Sequence, residues 1–434
     1  MRLKRAIFFI AAIVWACVAV ARTFAGVEPD SSLVVGKIEV VGNLHTKTEI
    51  ILREMSLKVG EPLTEEALEY DRDRIYNLQL FTRVEVNSFE SDGTATVVVS
   101  VDERWYIFPF PVLGFKYHAL KNLYYGAGIT HQNFRGRNEK IFFSFALGFD
   151  RWIELSYANP RISDDDLFLS ASINASRLQN LKTELGDYHQ QHLGSALTLG
   201  KRFGLFQAAS VWVGYEVWQV PSSVTGGTLS RGGRDAFAEA GLGYALDTRD
   251  LREYTTHGTY VGISVAQYGI GESPVSFSRL GLEARQFILL PGRIILGLRT
   301  HGAFTIGGTV PPYRFVYLGY EERVRGAYNT VVEGEHRIGG NVELRVPILE
   351  PTYFEVPAPF LREFRIWRFG LYGALFADAG KAWYRAEAFG SRRWYSGFGA
   401  GLHLLLPYSI VVRAEYALNP KFAGEWIFDL GTPF

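Results

Sequence analysis

From Trp105 to Phe434 the chain repeats one pattern: segments of about ten residues in which apolar and polar side chains alternate, the length a tilted strand needs to cross a bilayer. Ile141, Phe143, Phe145, Leu147 and Phe149 alternate with Phe142, Ser144, Ala146, Gly148 and Asp150. Where charges enter, they keep to one parity. Arg413 and Glu415 interleave with Ile410, Val412, Ala414, Tyr416 and Leu418, and Arg279, Glu283 and Arg285 oppose Leu280, Leu282 and Ala284. A charge facing acyl chains near the midplane costs ~2–4 kcal/mol, so these groups must point into a wet interior. Beyond an apolar N-terminal run, no stretch approaches 18 consecutive apolar residues, which leaves no candidate for a spanning helix. The remaining way into a membrane is a closed barrel, because an open sheet edge leaves backbone groups unsatisfied in lipid. A soluble sandwich would turn its polar face outward and would not need aromatic residues along so many strands. With 15% aromatic residues, 45 glycines and a mean hydropathy of +0.02, the composition suits strands that face lipid on one side and water on the other.

The alternation predicts sixteen strands, near 107–117, 123–132, 140–149, 151–158, 166–177, 188–202, 207–219, 236–246, 258–268, 277–288, 293–304, 337–346, 367–380, 394–406, 409–418 and 425–434. An even number is what a bacterial barrel requires. With the N-terminal region in the periplasm, even-to-odd connections are short periplasmic turns, such as Phe203-Gly204-Leu205-Phe206, 289–292 and Pro407-Tyr408. Odd-to-even connections are external and longer, such as 220–235 and 305–336. Two places depart from this rule: the third-to-fourth connection is very short, and the periplasmic stretch 347–366 is long.

The N-terminus has the character of an address. Arg2, Lys4 and Arg5 precede an apolar run from Ala6 to Ala21, and Ala19-Val20-Ala21 or Thr23-Phe24-Ala25 offers a cleavage site, so residues 1–25 are expected to be a signal peptide. The single cysteine, Cys17, lies there, which leaves neither a disulfide framework nor a cysteine-ligated metal site. Between 33 and 104 the pattern changes. A β-branched strand from Leu33 to Val41 ends at Gly42-Asn43, and Thr46 with Glu49 forms a capping box that opens a short helix through Met55. Thr64, Glu65 and Glu66 start a second helix with Leu68, Ile75 and Leu78 at helical spacing, followed by strands 81–89 and 95–101 around the turn Ser91-Asp92-Gly93. Such a β-α-α-β-β unit of about 70 residues buries only a modest core and serves as a satellite.

The run Gly60-Glu61-Pro62-Leu63-Thr64, then Leu68, Asp71, Ile75 and Leu80-Phe81-Thr82-Arg83-Val84, resembles a POTRA domain, the periplasmic module of BamA/TamA-type outer-membrane assembly proteins. Gln79-Leu80 stands where that family usually has a glycine. An exposed edge of its sheet suits an extended peptide, and a module that merely plugs or orients the barrel is an equal alternative. The fold class expected is mainly β: a transmembrane antiparallel barrel of about 16 strands over 105–434, preceded by one periplasmic POTRA domain over 33–104.

Three further motifs stand in order: Arg323-Val324-Arg325-Gly326-Ala327-Tyr328 in the longest external connection, Asn341-Val342-Glu343-Leu344-Arg345-Val346-Pro347 in the next strand, and Phe376-Ala377-Asp378-Ala379-Gly380 in the strand after it. They are similar to the sixth-loop Val-Arg-Gly-aromatic motif and the adjoining strand motifs of BamA-type proteins, two-partner secretion transporters and their organellar relatives, the bacterial surface antigen family. Here Ala327 occupies the aromatic position and Tyr328 follows it. The resemblance implies a loop folded back into the lumen. Parity agrees with it, since Glu343 and Asp378 both lie on the face opposite the apolar set. A loop arginine in a partly desolvated lumen needs ionic partners, because an uncompensated buried charge costs ~3–5 kcal/mol, and a guanidinium engages carboxylates bidentately. Arg325 is therefore expected to contact Asp378 and Glu343. The last residues, Trp426, Phe428, Leu430, Thr432 and Phe434, share one parity and are expected to face lipid; a terminal phenylalanine there resembles the C-terminal insertion signal of outer-membrane barrels.

The balance of 45 basic and 45 acidic residues excludes nucleic acid as a partner, since neutralising phosphates needs a basic excess. Asp164-Asp165-Asp166 is a polar turn, and Gly241-x-Gly243 and Gly399-x-Gly401 lie in strands with no following helix. His189 and His192 fall on opposite faces of a strand and cannot chelate together. No nucleophile-elbow or Ser-His-Asp arrangement is evident, so neither an enzyme, a metal nor a cofactor is expected. What the resemblance implies is an insertase or translocase with a weak seam between first and last strands. The partners it implies are outer-membrane lipid, unfolded barrel or secreted polypeptide clients, and accessory proteins of the periplasm or inner membrane. A polypeptide-secreting pore of the two-partner type, whose family usually carries two POTRA modules, and a passive outer-membrane channel are the alternatives.

Overall fold

The computed structural model describes residues 33–91, 93–115, 120–180, 185–320, 322–357, 362–432 and 434; the expected signal peptide lies outside them. The N-terminal unit consists of β1 (Val35–Val41), α1 (Thr48–Leu52), α2 (Glu65–Tyr76), β2 (Phe81–Ser91) and β3 (Thr94–Glu103). Its sheet has the order β1-β3-β2, with β1 parallel and β2 antiparallel to the central β3. Along β3 burial alternates, and Ala95, Val97, Val99 and Val101 meet Ile50, Ile51 and Ile75 from the helices in one apolar core. Thr64 caps α2 by accepting from the Ala67 amide at 3.2 Å. One local expectation fails: α1 has Lys47 at its N-cap and no side-chain cap. Thr46 is drawn elsewhere, because its hydroxyl pairs with Tyr106 at 3.1 Å and accepts from Asn133 Nδ2 at 3.0 Å at the junction with the barrel.

Sixteen antiparallel strands make the second sheet: β4 (Ile107–Phe115), β5 (Leu123–Phe134), β6 (Glu139–Gly148), β7 (Arg151–Asn159), β8 (Leu167–Gln179), β9 (His189–Phe203), β10 (Gln207–Gln219), β11 (Arg234–Asp247), β12 (Gly258–Ile270), β13 (Phe277–Leu290), β14 (Ile294–Gly307), β17 (His336–Glu355), β18 (Ile366–Trp383), β19 (Tyr395–Leu406), β20 (Ile410–Leu418) and β21 (Gly424–Leu430). The two short strands between them, β15 (Val316–Leu318) and β16 (Val332–Gly334), pair only with each other inside the long loop. Each strand joins its sequence neighbour across the barrel wall, as the alternation predicts. The sheet curls until its ends approach, with Phe108 at the start of β4 edge-on to Tyr408 in the β19–β20 turn at 5.7 Å. Yet among the described residues no ladder connects β4 to β21.

Much of the long stretch 347–366 is strand rather than loop, since β17 runs on to Glu355 and β18 begins at Ile366. β17 and β18 continue their ladder through it to Glu355↔Ile366, with register shifts between Pro347 and Leu349 and between Leu349 and Thr352. Pro347 and Pro351 resemble strand terminators in the sequence, but here they sit at or beside the irregularities, where a missing N–H costs no regular ladder bond. The result is a ribbon that extends the wall toward the POTRA domain.

That domain docks under the periplasmic mouth. Lys47 N donates to Gly136 O in the β5–β6 turn at 2.9 Å, and Arg252 N in the β11–β12 turn donates to Asn77 Oδ1 at 2.8 Å, while Asn77 Nδ2 donates back to Asp250 O. Glu54 sits at the centre, accepting from Arg202 of β9 at 2.5 and 3.0 Å and from Arg74 of its own domain at 2.7 Å. Burial alone would raise this carboxyl, but Arg202, Arg74 and Arg53 together hold it down to about 2.

Candidate functional site in the barrel lumen

The connection between β14 and β17 folds into the lumen, and its tip places Arg325 against three strands. Arg325 Nε and Nη2 donate to both oxygens of Asp378 on β18, each at 2.8 Å, and its backbone N–H reaches Asp378 Oδ2 at 3.1 Å. Nη1 bridges Glu343 of β17 at 2.6 Å and Glu415 of β20 at 2.8 Å. All four side chains are withdrawn from solvent, with Arg325 3% exposed and Glu343 and Glu415 0%. In such a place a charge persists only with full compensation, and the bidentate fork supplies it.

The strand motif accounts for the rest of the loop's seat. The Phe376 ring lies 3.7 Å from the Arg325 guanidinium, a cation–π contact on the face that the carboxylates leave open. Two residues on from Asp378, a Cβ at Gly380 would meet Val324 Cγ2 at 2.8 Å, so glycine there is the recess that Val324 fills. Gly326 has φ +94, and a Cβ on it would strike Gly397 Cα and Leu418 O at 2.8 Å; only a glycine lets the loop backbone lie against the wall in that conformation.

The loop also holds the last strand. Gly326 N and Tyr328 N donate to Glu425 Oε1 of β21 at 2.9 and 2.8 Å, and the Tyr328 hydroxyl donates to Asp429 Oδ2 at 2.8 Å. Arg323 covers the Tyr328 ring at 4.3 Å. Tyr328, one place later than the family's aromatic, thus reaches the seam strand, while Ala327 makes the turn with its N–H on Val324 O at 2.9 Å.

Several members were not singled out from sequence. Arg345 donates to Glu343 at 2.7 Å, Arg413 to Glu415 at 2.9 Å and to Asp429 at 2.8 Å, and His403 Nε2 lies 3.2 Å from Glu415. The carboxylates of Asp378, Glu343, Glu415 and Asp429 thus face the guanidinium groups of Arg325, Arg345 and Arg413, four against three with His403 beside them. Parity already put Arg345, Arg413 and Glu415 on the wet face; which strand lies opposite the loop tip depends on barrel curvature. Glu343, His403 and Glu415 have metal-ligand spacing, but guanidinium groups already occupy both carboxylates.

The expectation for the C-terminus divides. Trp426 and Phe428 project outward, 67% and 74% exposed, as lipid-facing residues should. Phe434 does not. After β21 ends, Gly431 at φ +92 redirects the chain, and Phe434 is buried in the lumen, stacked on Phe287 at 5.8 Å and 5.6 Å from the Arg345 guanidinium. Tyr254 at 4.4 Å and Phe287 at 5.4 Å complete an aromatic enclosure around that cation. Alternation along an edge strand stops specifying a face once the ladder has ended and a buried cation competes for the ring.

A family model described as the Omp85 superfamily domain matches residues 133–434. The chain belongs to the Omp85 superfamily. A second model, the POTRA family described as a surface antigen variable number repeat, matches residues 33–104. Members of this superfamily with a POTRA domain place the barrel in the outer membrane and the POTRA domain in the periplasm, and this chain has that arrangement. The outer membrane protein assembly factor BamA of Nitratidesulfovibrio vulgaris is 22% identical over 330 residues, 71% of this chain. The aligned part spans only 40% of that relative. Among solved structures, BamA of Haemophilus ducreyi lacking POTRA domains 1–3 superposes with a TM-score of 0.55 at 18% identity, covering 93% of this chain and 85% of that one. CdiB of Escherichia coli gives a TM-score of 0.52 at 10% identity, covering 94% and 92%. These likenesses concern the fold.

Proposed function

We propose that this Omp85 protein assists the insertion and assembly of polypeptides at the outer membrane, with the edges of β4 and β21 serving as a seam that opens toward lipid. The observation that carries this reading is that among the described residues no ladder joins β4 to β21, in a sheet whose other neighbours are all paired. Unpaired edges in a bilayer are costly, and a client strand that pairs with either edge relieves that cost, so the energy comes from the client's own folding. The loop's grip on Glu425 and Asp429 supports the idea, because it braces β21 from inside while leaving its outer edge unpaired. The POTRA domain, docked at the mouth with β1 and β2 as its sheet edges, is placed to present extended segments. The client classes are unfolded barrels or exported polypeptides.

Reconstitution into liposomes tests this reading, with unfolded barrel clients added outside and client folding and ion conductance scored in one preparation. Faster client folding at low conductance is the expected result. Steady large conductance with no effect on clients would replace the proposal with a passive channel, and vectorial passage of a client across the liposome wall would replace it with a secreting pore.

A further inference from the structure

Where the POTRA domain meets the barrel floor, a cavity of about 570 Å³ is left between them, bounded by both domains. Its charges do not balance. Arg53, Arg74, Lys140, Arg202, Arg249 and Arg252 line it against only Glu54 and Asp247, six cations facing two anions, a surplus of four. Both carboxylates are already engaged. Glu54 serves Arg74, Arg202 and, at 3.4 Å, Arg53, while Asp247 holds Arg249 at 2.8 and 3.0 Å and Arg252 at 3.3 Å. Outside the lining, Asp166 faces Arg161 at 3.9 Å and Glu139 faces Arg135 at 2.7 Å. Lys140, exposed to the water of the cavity, has no ion-pair or hydrogen-bond partner among the described residues. Arg53 Nη1 is buried with no hydrogen-bond acceptor.

Domain docking explains part of this cluster. Arg53, Arg74 and Arg202 converge on Glu54 and join the two units, but the side chains of Lys140, Arg249 and Arg252 take no part in that joint. Arg53, Arg74, Arg202 and Arg249 are largely withdrawn from solvent while Lys140 and Arg252 reach the water of the cavity, and like charges gathered this closely repel one another until an anion lies among them. We propose that this cavity binds a phosphate-bearing anion, a phosphomonoester group. A phosphomonoester brings up to two charges where a carboxylate or a phosphodiester brings one, with several acceptor oxygens that suit guanidinium forks. The remaining wall is mixed, with Phe168, Leu169 and Leu205 beside Asn138, Asn159 and Gln207, and leaves room for the organic remainder of a ligand in a volume typical of small-molecule sites. A lipid headgroup entering from the inner leaflet and a soluble phosphate ester share this chemistry.

Isothermal titration of the full chain in a phosphate-free maltoside detergent tests the proposal with four probes: inorganic phosphate, glycerol 3-phosphate, dihexanoylphosphatidic acid and an oligoglutamate peptide. The phosphate probes should saturate a single site. The double variant Lys140→Gln/Arg252→Gln should weaken them about tenfold or more, the loss of one or two charge-assisted contacts, with an unchanged melting midpoint because docking through Glu54 is untouched. Tighter binding of the short-chain lipid than of glycerol 3-phosphate assigns a lipid headgroup; equal affinity assigns a soluble ester. Absence of saturable phosphate binding, affinity unaltered in the double variant, or binding of oligoglutamate alone would each overturn the assignment. None of these readouts involves a polypeptide client, so failure here leaves the assembly reading standing, and the converse holds.

Discussion

Arg325 concentrates what the lumen asks of a single side chain: four donated hydrogen bonds to three carboxylates, a ring against its face, and almost no water. Removing one partner of such a set leaves the others uncompensated, so Arg325→Ala and Asp378→Asn should each lower stability by ~3–5 kcal/mol and release the loop. Urea midpoints of the detergent-folded barrel, together with protease access to 308–335, measure both effects. Arg325→Lys keeps the charge but not the fork and should fall between wild type and alanine. If all three variants match wild type in midpoint and protease resistance, the ionic seat does not hold the loop. Gly380→Leu should cost ~1–3 kcal/mol by overpacking Val324, and unlike the charge variants its effect should be insensitive to salt. The expectation that Arg325 faces Asp378 and Glu343 came from lumen parity and motif order. Glu415 was legible only as a wet-face acid, since the sequence does not state which residues ninety positions apart share a cross-section.

Strands and their joints set the next constraint. The sixteen wall strands were legible because each buries no core of its own and must alternate to satisfy lipid and water at once, leaving the local pattern unobscured. The β17–β18 ribbon was not, because prolines at bulges look like ends. In the POTRA domain, Thr46 was misassigned as a cap because its tertiary partners on Tyr106 and Asn133 lie beyond any local window. The POTRA–barrel joint carries a pH signature. A carboxyl held near 2 in the folded protein, against an ordinary 4.5, adds stability that is fully present above pH ~4.5 and is lost as pH falls toward 2. Thermal midpoints across pH 6 to about 2 should therefore fall in wild type and fall less steeply in Glu54→Gln, which starts lower. Identical slopes in the two proteins would remove Glu54 from the account.

Taken together, the loop lies in the lumen and the POTRA domain docks under its mouth, while among the described residues no ladder joins β4 to β21. Single-channel recordings should accordingly show low conductance for wild type. Arg325→Ala, which frees the inner loop, and Arg202→Gln, which loosens the floor, should each raise it, and the pair should raise it more than either alone. Conductance that is large in wild type and indifferent to both changes would mean that neither element closes the path. The sequence alone determined that the chain forms a barrel of about sixteen strands and which parity faces lipid, because these follow from local alternation and the solvation of charges, while the loop that enters the lumen was legible through its motif's resemblance to the family's. Only the tertiary structure decided the unlaced β4–β21 line, the inward turn of Phe434, the convergence on Glu415 and the positive cavity above the POTRA domain. Each of those depends on curvature and closure, which bring distant residues together and leave no trace in the spacing along the chain.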